Sequence, residues 1–180
     1  MIYEEKIIER KKMFKGNIID VEKYTVELPN GKITTRDVVV HPGAAVIIPI
    51  SQKGEVYLVK QYRTPIEKVL LELPAGKLDP GEAPEICAAR ELKEETGLNA
   101  DCIKHVISIH STPGFCNEVL HVFMATGLHE GNSCADEDEF ISSVKIHIGK
   151  LIEMIFNHEI TDAKSIIGIM IAERIINKEV

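Results

Sequence analysis

Residues 76–98 read GKLDPGEAPEICAARELKEETGL. Asp79-Pro80-Gly81 is a turn, and Pro84 suits a first helical turn because its missing N–H costs nothing there. Glu82 stands at or near the helix start, where its charge complements the helix dipole. Gly97 is a suitable residue to end the helix. The stretch is therefore a loop, a helix and a stop.

Counted from Glu82 at about 100° per residue, Ala88, Ala89, Leu92 and Thr96 share an arc from about 240° to 340°. This small, apolar arc is expected to pack closely on a sheet. Arg90, Glu91, Glu94 and Glu95 share the neighbouring arc, from about 80° to 220°. Like charges so spaced destabilise a helix by about a few tenths of a kcal/mol per pair. A solvated acidic face is the ordinary meaning of such a run. Two features favour chemistry instead. Arg90 is placed four residues before Glu94 and can orient its carboxylate, and the glycine-bearing loop ahead offers free carbonyl oxygens. Carboxylates, carbonyls and water are the ligands that Mg²⁺ or Mn²⁺ prefers.

Outward from this segment the chain alternates short strands and turns. Residues 1–40 read as strands, with a β-rich run at 18–28, a hairpin signal at Asn30-Gly31 and a return strand at 33–40. His41-Pro42-Gly43 breaks the pattern and divides an N-terminal hairpin layer, 1–40, from a main domain, 41–180. Further strands are expected at 44–50, 56–62, 69–73, 103–109, 119–125 and 140–148. Two closing helices are expected at 150–157 and 163–176, the second capped by Thr161 or Asp162. Strands and helices mix without regular βα alternation, so the fold class is α/β in the form of an α+β mixed sandwich.

The 180 residues fit one compact domain with a small extension. Hydrophobic residues at 44% and charged residues at 27% exclude a disordered or collagen-like chain. A net charge of −7 disfavours a nucleic-acid binder, which carries a basic footprint. No apolar run is long enough for a transmembrane helix, and the N-terminus has no signal-peptide core, so no membrane partner and a cytoplasmic location are expected. Cys87, Cys102, Cys116 and Cys134 form no C-x-x-C pair and read as reduced thiols. The histidines (His41, His105, His110, His121, His129, His147 and His158) show no metal-ligand spacing and read as structural or exposed.

Gly76, Glu82 and Arg90-Glu91-Leu92-Lys93-Glu94-Glu95-Thr96-Gly97-Leu98 match the Nudix box, G-x5-E-x7-R-E-U-x-E-E-x-G-U, at every defined position. The chain therefore resembles Nudix hydrolases. The flanks resemble the ADP-ribose pyrophosphatase subfamily: Gln61-Tyr62-Arg63, Glu72-Leu73-Pro74-Ala75-Gly76, Pro113 at fifteen residues past Leu98, the acidic 136–139 run, and Asp162-Ala163-Lys164. The resemblance implies a Nudix fold, a mixed sheet between helices, and metal-dependent hydrolysis of ADP-ribose to AMP and ribose 5-phosphate. Other nucleoside diphosphate sugars, such as ADP-glucose or GDP-mannose, are the alternative substrates. A ligand-sensing domain with lost catalysis is a third reading, disfavoured by the intact box.

By position, the resemblance makes Glu91, Glu95 and Glu94 the metal ligands, with the carbonyl of Ala75 as a backbone ligand for Mg²⁺ or Mn²⁺. Arg90 resembles the residue that orients the glutamates, and Glu82 one that supports the loop. Arg36, Asp37, Arg63 and Gly114 are the implied substrate contacts, since a bidentate arginine suits phosphate oxygens. Tyr24 or Phe14 is the candidate for stacking on adenine. The base that takes a proton from water is implied to come from the acidic loop, with Glu139 and Glu137 as candidates. Glu139 is favoured because it adjoins the strand-like Phe140. The resemblance further implies a homodimer in which N-terminal strands complete each other's site.

Overall fold

The computed structural model describes residues 3–131 and 142–177. In chain order the elements are β1 (Lys6–Lys15), β2 (Asp20–Glu27), β3 (Ile33–Val40), β4 (Ala44–Pro49), β5 (Glu55–Arg63), β6 (Lys68–Glu72), β7 (Ala75–Lys77), α1 (Pro84–Thr96), β8 (Leu98–His110), β9 (Val119–Glu130), β10 (Ser142–His147), α2 (Ile148–Phe156) and α3 (Ala163–Ile176). Met1–Gly43 with His110–Val119 form one compact unit, and Ala44–Ile109 with Leu120–Val180 form another.

The first unit is built on an antiparallel sheet ordered β1-β2-β3. The hairpin β2–β3 pairs Asp20 with Val40 through to Glu27 with Ile33. Gly31 takes a positive φ of 80° at its turn, and the Asn30 side chain accepts from the Lys32 amide at 3.1 Å. Gly31 suits this turn because it tolerates the left-handed region, and Asn30 because its side chain bonds the backbone two residues on. The sequence reading expects strands throughout residues 1–40; the structure shows β1 as a third strand, paired antiparallel to β2 with two register shifts. Every residue of β1 is exposed. Residues 110–119 join the same unit: the Val39 amide donates to Phe115 O at 2.7 Å, and the His41 amide donates to Asn117 Oδ1 at 2.8 Å.

The second unit centres on β4, all six of whose residues are buried. A strand covered on both faces reads as an unbroken apolar run, and AAVIIP is one. It runs parallel to β9 and antiparallel to β7 in a mixed sheet ordered β7-β4-β9-β8. A second sheet, β10-β5-β6, is antiparallel. Alternate residues of β4 serve two cores. Ala44, Val46 and Ile48 pack with Val56, Leu58, Leu73, Leu151 and Ile169, which brings in the second sheet, α2 and α3. Ala45 and Ile47 pack with Cys87, Ala88, Leu92 and Phe123, which brings in α1. This is the mixed α/β sandwich, with helices on both faces of β4. Among the described residues, no helix is long and apolar enough to cross a membrane.

Candidate active site

α1 begins at Pro84, with Ala83 as an N-cap that lacks a side-chain bond, and ends at Gly97, whose φ of 71° stops the helix. The turn before it is closed by Glu82: its Oε2 accepts from the Asp79 amide at 3.0 Å. Its two oxygens also accept from Arg90 Nε and Nη2, both at 3.0 Å. This charge-assisted fork holds the Glu82 carboxyl down at about 2. Arg90 goes on to donate from Nη1 to Glu91 Oε1 at 2.6 Å and Glu94 Oε2 at 2.9 Å. One guanidinium thus ties three carboxylates together, and Glu82 foremost keeps its own pKa raised.

The helix is rolled relative to the apolar-arc expectation. Its buried residues are Cys87, Ala88, Glu91, Leu92 and Glu95, an arc from about 140° to 280° on the same wheel. Ala89, expected on the packing arc, is exposed. The roll is possible because the inward carboxylates meet polar groups and a residue with no side chain. The Ala75 amide donates to Glu95 Oε2 at 3.0 Å. Gly76 leaves room for Glu91: a Cβ at that position would lie 1.7 Å from Oε1. Cys87 packs beside them with its Sγ 3.6 Å from Gly76 O and 3.5 Å from Lys77 O. Burial pushes its thiol up to about 12.

A second polar centre lies at the start of α3. Glu72 is 1% exposed and receives Arg63 in bidentate fashion, Nε at 2.8 Å and Nη2 at 2.6 Å, together with Lys164 Nζ. Burial alone would raise the Glu72 pKa, but the two cations together hold it lowered. Arg63 is thus placed on Glu72 and not on its own, and its pKa is raised mainly by that partner. Lys164 also meets Asp162 Oδ2 at 2.9 Å. Asp162, and not Thr161, caps α3, accepting from the Ser165 amide at 3.0 Å. The sequence reading named these segments without giving Glu72, Lys164 or Ser165 a role. No local pattern could have found them, because the partners lie 92 positions apart in the chain.

The inner face of α1 presents oxygen ligands of the kind a divalent cation takes. Glu91 and Glu95 are each 8% exposed, share one face of the helix, and stand beside the β7 backbone with only a glycine hydrogen in the way. Among the described residues, no three His, Cys, Asp or Glu side chains are gathered as a ready-made metal cage. Mg²⁺ and similar hard cations take one or two carboxylates and complete their shell with water and substrate phosphate. The donor set is all oxygen, so the residues fit the group.

The implied substrate residues of the first unit share an open groove of about 500 Å³. Arg36, Asp37, Tyr24, Pro113, Gly114 and Phe115 are among its lining. Arg36 is paired with Glu5 at 2.5 Å, and Asp37 lies 3.9 Å from Lys23. Arg10 sits over the Tyr24 ring at 5.0 Å. Phe14, the other aromatic candidate, is exposed and does not line this groove. Arg63 belongs to the second unit. A cavity of about 550 Å³ in that second unit, bordered by Ile50, Met124 and Ile175, includes none of the box carboxylates. Glu137 and Glu139 lie outside the described residues. Of the histidines, His147 caps α2 through Nδ1, and His105 and His121 share the Ser108 hydroxyl at 2.9 Å each.

Known proteins extend the likeness beyond the box. The chain is 40% identical over 164 residues to a Bacillus subtilis protein named ADP-ribose pyrophosphatase, covering 90% of this chain and 89% of that one. It is 38% identical over 170 residues to the "Methanol dehydrogenase activator" of Bacillus methanolicus, covering 93% and 92%. A crystal structure titled as an ADP compounds hydrolase superposes with a TM-score of 0.88 at 20% identity, over 99% of this chain and 97% of that one, and so shares the fold. A model of the NUDIX domain family matches residues 40–164, and the chain belongs to that family.

Proposed function

We propose that the protein hydrolyses the pyrophosphate of ADP-ribose, giving AMP and ribose 5-phosphate. The observation that carries the reading is the pair of buried, inward-facing carboxylates, Glu91 and Glu95, set against the glycine of β7. Acidic side chains are rarely so enclosed unless they are paired or belong to a functional site, and two that share one face beside a backbone turn suit the second. The choice of ADP-ribose is supported by the Bacillus subtilis relative.

In this reading Glu91, Glu95, Glu94 and the Ala75 carbonyl hold Mg²⁺ or Mn²⁺. When bound, the cation neutralises the pyrophosphate and lowers the pKa of an attacking water. Arg90 aims Glu91 and Glu94, and its fork to Glu82 fixes its own position. Arg36, Asp37 and Gly114 meet the substrate, with Tyr24 rather than Phe14 for adenine, because Tyr24 shares their groove. Arg63 meets it while remaining anchored on Glu72. Water attacks one phosphorus, the bridging P–O bond breaks, and the proton from water passes to Glu139 or Glu137.

Residues 1–40 serve as a dimerising region and 41–180 as the catalytic domain. Exposed Ile7, Ile8, Met13 and Phe14 on β1 support a homodimer, since an exposed apolar edge strand invites pairing. The free thiols Cys87, Cys102 and Cys116 fit a cytoplasmic location.

The test is incubation of purified protein with ADP-ribose and Mg²⁺, followed by chromatography. AMP is the expected product; none, with or without metal, sinks the reading. A Yersinia enterocolitica relative named GDP-mannose pyrophosphatase, 31% identical over 179 residues, favours a panel that includes other nucleoside diphosphate sugars. AMP or GMP released only from one of those would replace ADP-ribose as the substrate. Sedimentation at low concentration tests the dimer.

A further inference from the structure

The turn that joins β6 to β7 carries Leu73, Pro74 and Ala75 past the box helix, and it is held from three sides. The Ile47 amide donates to Pro74 O at 2.9 Å, which ties it to β4. The Ala75 amide donates to Glu95, which ties it to α1. The third tie comes from far along the chain. The Leu73 amide donates to Ser165 Oγ at 2.7 Å, and Ser165 is fully buried in the first turn of α3.

The polarity of that third tie is set by Asp162. A serine hydroxyl has one proton to give. Ser165 Oγ accepts from Leu73, so its proton goes elsewhere, and Asp162 Oδ2 stands 2.6 Å away to take it. The same oxygen accepts from the Ser165 amide at 3.0 Å and from Lys164 Nζ at 2.9 Å. A carboxylate only accepts, so this cap cannot reverse the direction of the chain of bonds. Lys164 then reaches Glu72, the residue before Leu73, and Arg63 grips Glu72 from the opposite partner strand. Two consecutive residues at the entry to the turn, Glu72 and Leu73, are thereby locked to the start of α3.

We propose that Asp162 and Ser165 are positioning residues for the reaction: they set the Leu73–Ala75 backbone so that the Ala75 carbonyl and Glu95 present their oxygens together to the cation. The inference rests on the metal-site reading above. Neither residue touches the cation or the substrate. Each acts through the backbone that does.

The experiment measures Mg²⁺ binding by calorimetry on the full chain without substrate, alongside kcat and KM. Ser165→Ala is expected to weaken Mg²⁺ binding by about tenfold or more, the range typical when a group that orients a metal ligand is lost. Amide exchange at Ala75 should quicken in the same variant. Asp162→Asn keeps an acceptor for the helix cap and is the second variant, expected to shift affinity in the same direction and by less. Ile169→Val, a buried truncation further along α3, is the control: it should lower Tm and leave Mg²⁺ affinity alone. Unchanged Mg²⁺ affinity in both Ser165→Ala and Asp162→Asn overturns the proposal, as does an equal loss in Ile169→Val. Should the unsubstituted protein bind no divalent cation, the metal-site reading itself falls, a different and separately visible result.

Discussion

Gly76 and Glu91 are in mutual contact so close that a single methyl group cannot be placed between them: a Cβ on Gly76 would lie 1.7 Å from Oε1 and 1.9 Å from Cδ of Glu91. Gly76 does not adopt a positive φ, so its requirement is clearance and not backbone freedom. Gly76→Ala should therefore fold and expel the Glu91 carboxylate from its place. Steady-state kinetics should show kcat/KM down by about a hundredfold, with a higher Mg²⁺ requirement. Wild-type kinetics in this variant would remove Glu91 from the site.

The two glutamate groups assigned different roles separate on substitution. Glu95→Gln should abolish turnover at any Mg²⁺ concentration. Glu139→Gln should leave Mg²⁺ binding nearly intact by calorimetry while lowering kcat by about 10² to 10⁴, the usual contribution of a general base. Full activity in Glu139→Gln with loss in Glu137→Gln would transfer the role of base to Glu137.

Glu82 makes stability pH-dependent in a defined direction. Its carboxyl is held at about 2 in the folded protein by the Arg90 fork, against about 4.3 for an unfolded chain. A depressed carboxylate stabilises the fold fully above the unfolded value and loses that contribution as pH falls toward the folded one. The Tm difference between wild type and Glu82→Gln should be constant above about pH 5 and shrink between about pH 4.5 and 2. A gap that persists unchanged at pH 3 contradicts the assigned pair.

Cys87 should be chemically silent. Its thiol is buried and pushed up to about 12, far from the thiolate form that reacts. Exposed Cys102 should react with a thiol reagent at pH 8 in the native protein, and Cys87 only after denaturation. Peptide mass spectrometry after labelling distinguishes the two.

Much of this architecture is legible in residue pattern. β4 announces itself as an apolar run because both its faces are covered. α3 is bounded by the Asp162 cap as spacing suggests. β1 reads as a strand, but its pairing does not: all ten residues are exposed, so no apolar alternation marks a face. The roll of α1 is hidden for a different reason. A helical wheel assumes that the inner face is apolar, whereas Glu91 and Glu95 point inward, bonded to Arg90 and the Ala75 amide. The ties between Glu72 and Lys164 and between Leu73 and Ser165 span 92 positions each, and no local pattern encodes them.

Gly97 adds a stereochemical consequence. Its φ of 71° is unfavourable for an L-residue and comfortable for the mirror-image hand. D-alanine installed there by chemical ligation would keep the helix stop, while L-alanine would strain it. Gly76, whose demand comes from a neighbouring carboxylate, has no such relief in its φ. Two glycines that look alike in one motif thus answer to different masters, one to the chirality of the chain and one to the bulk of its neighbour.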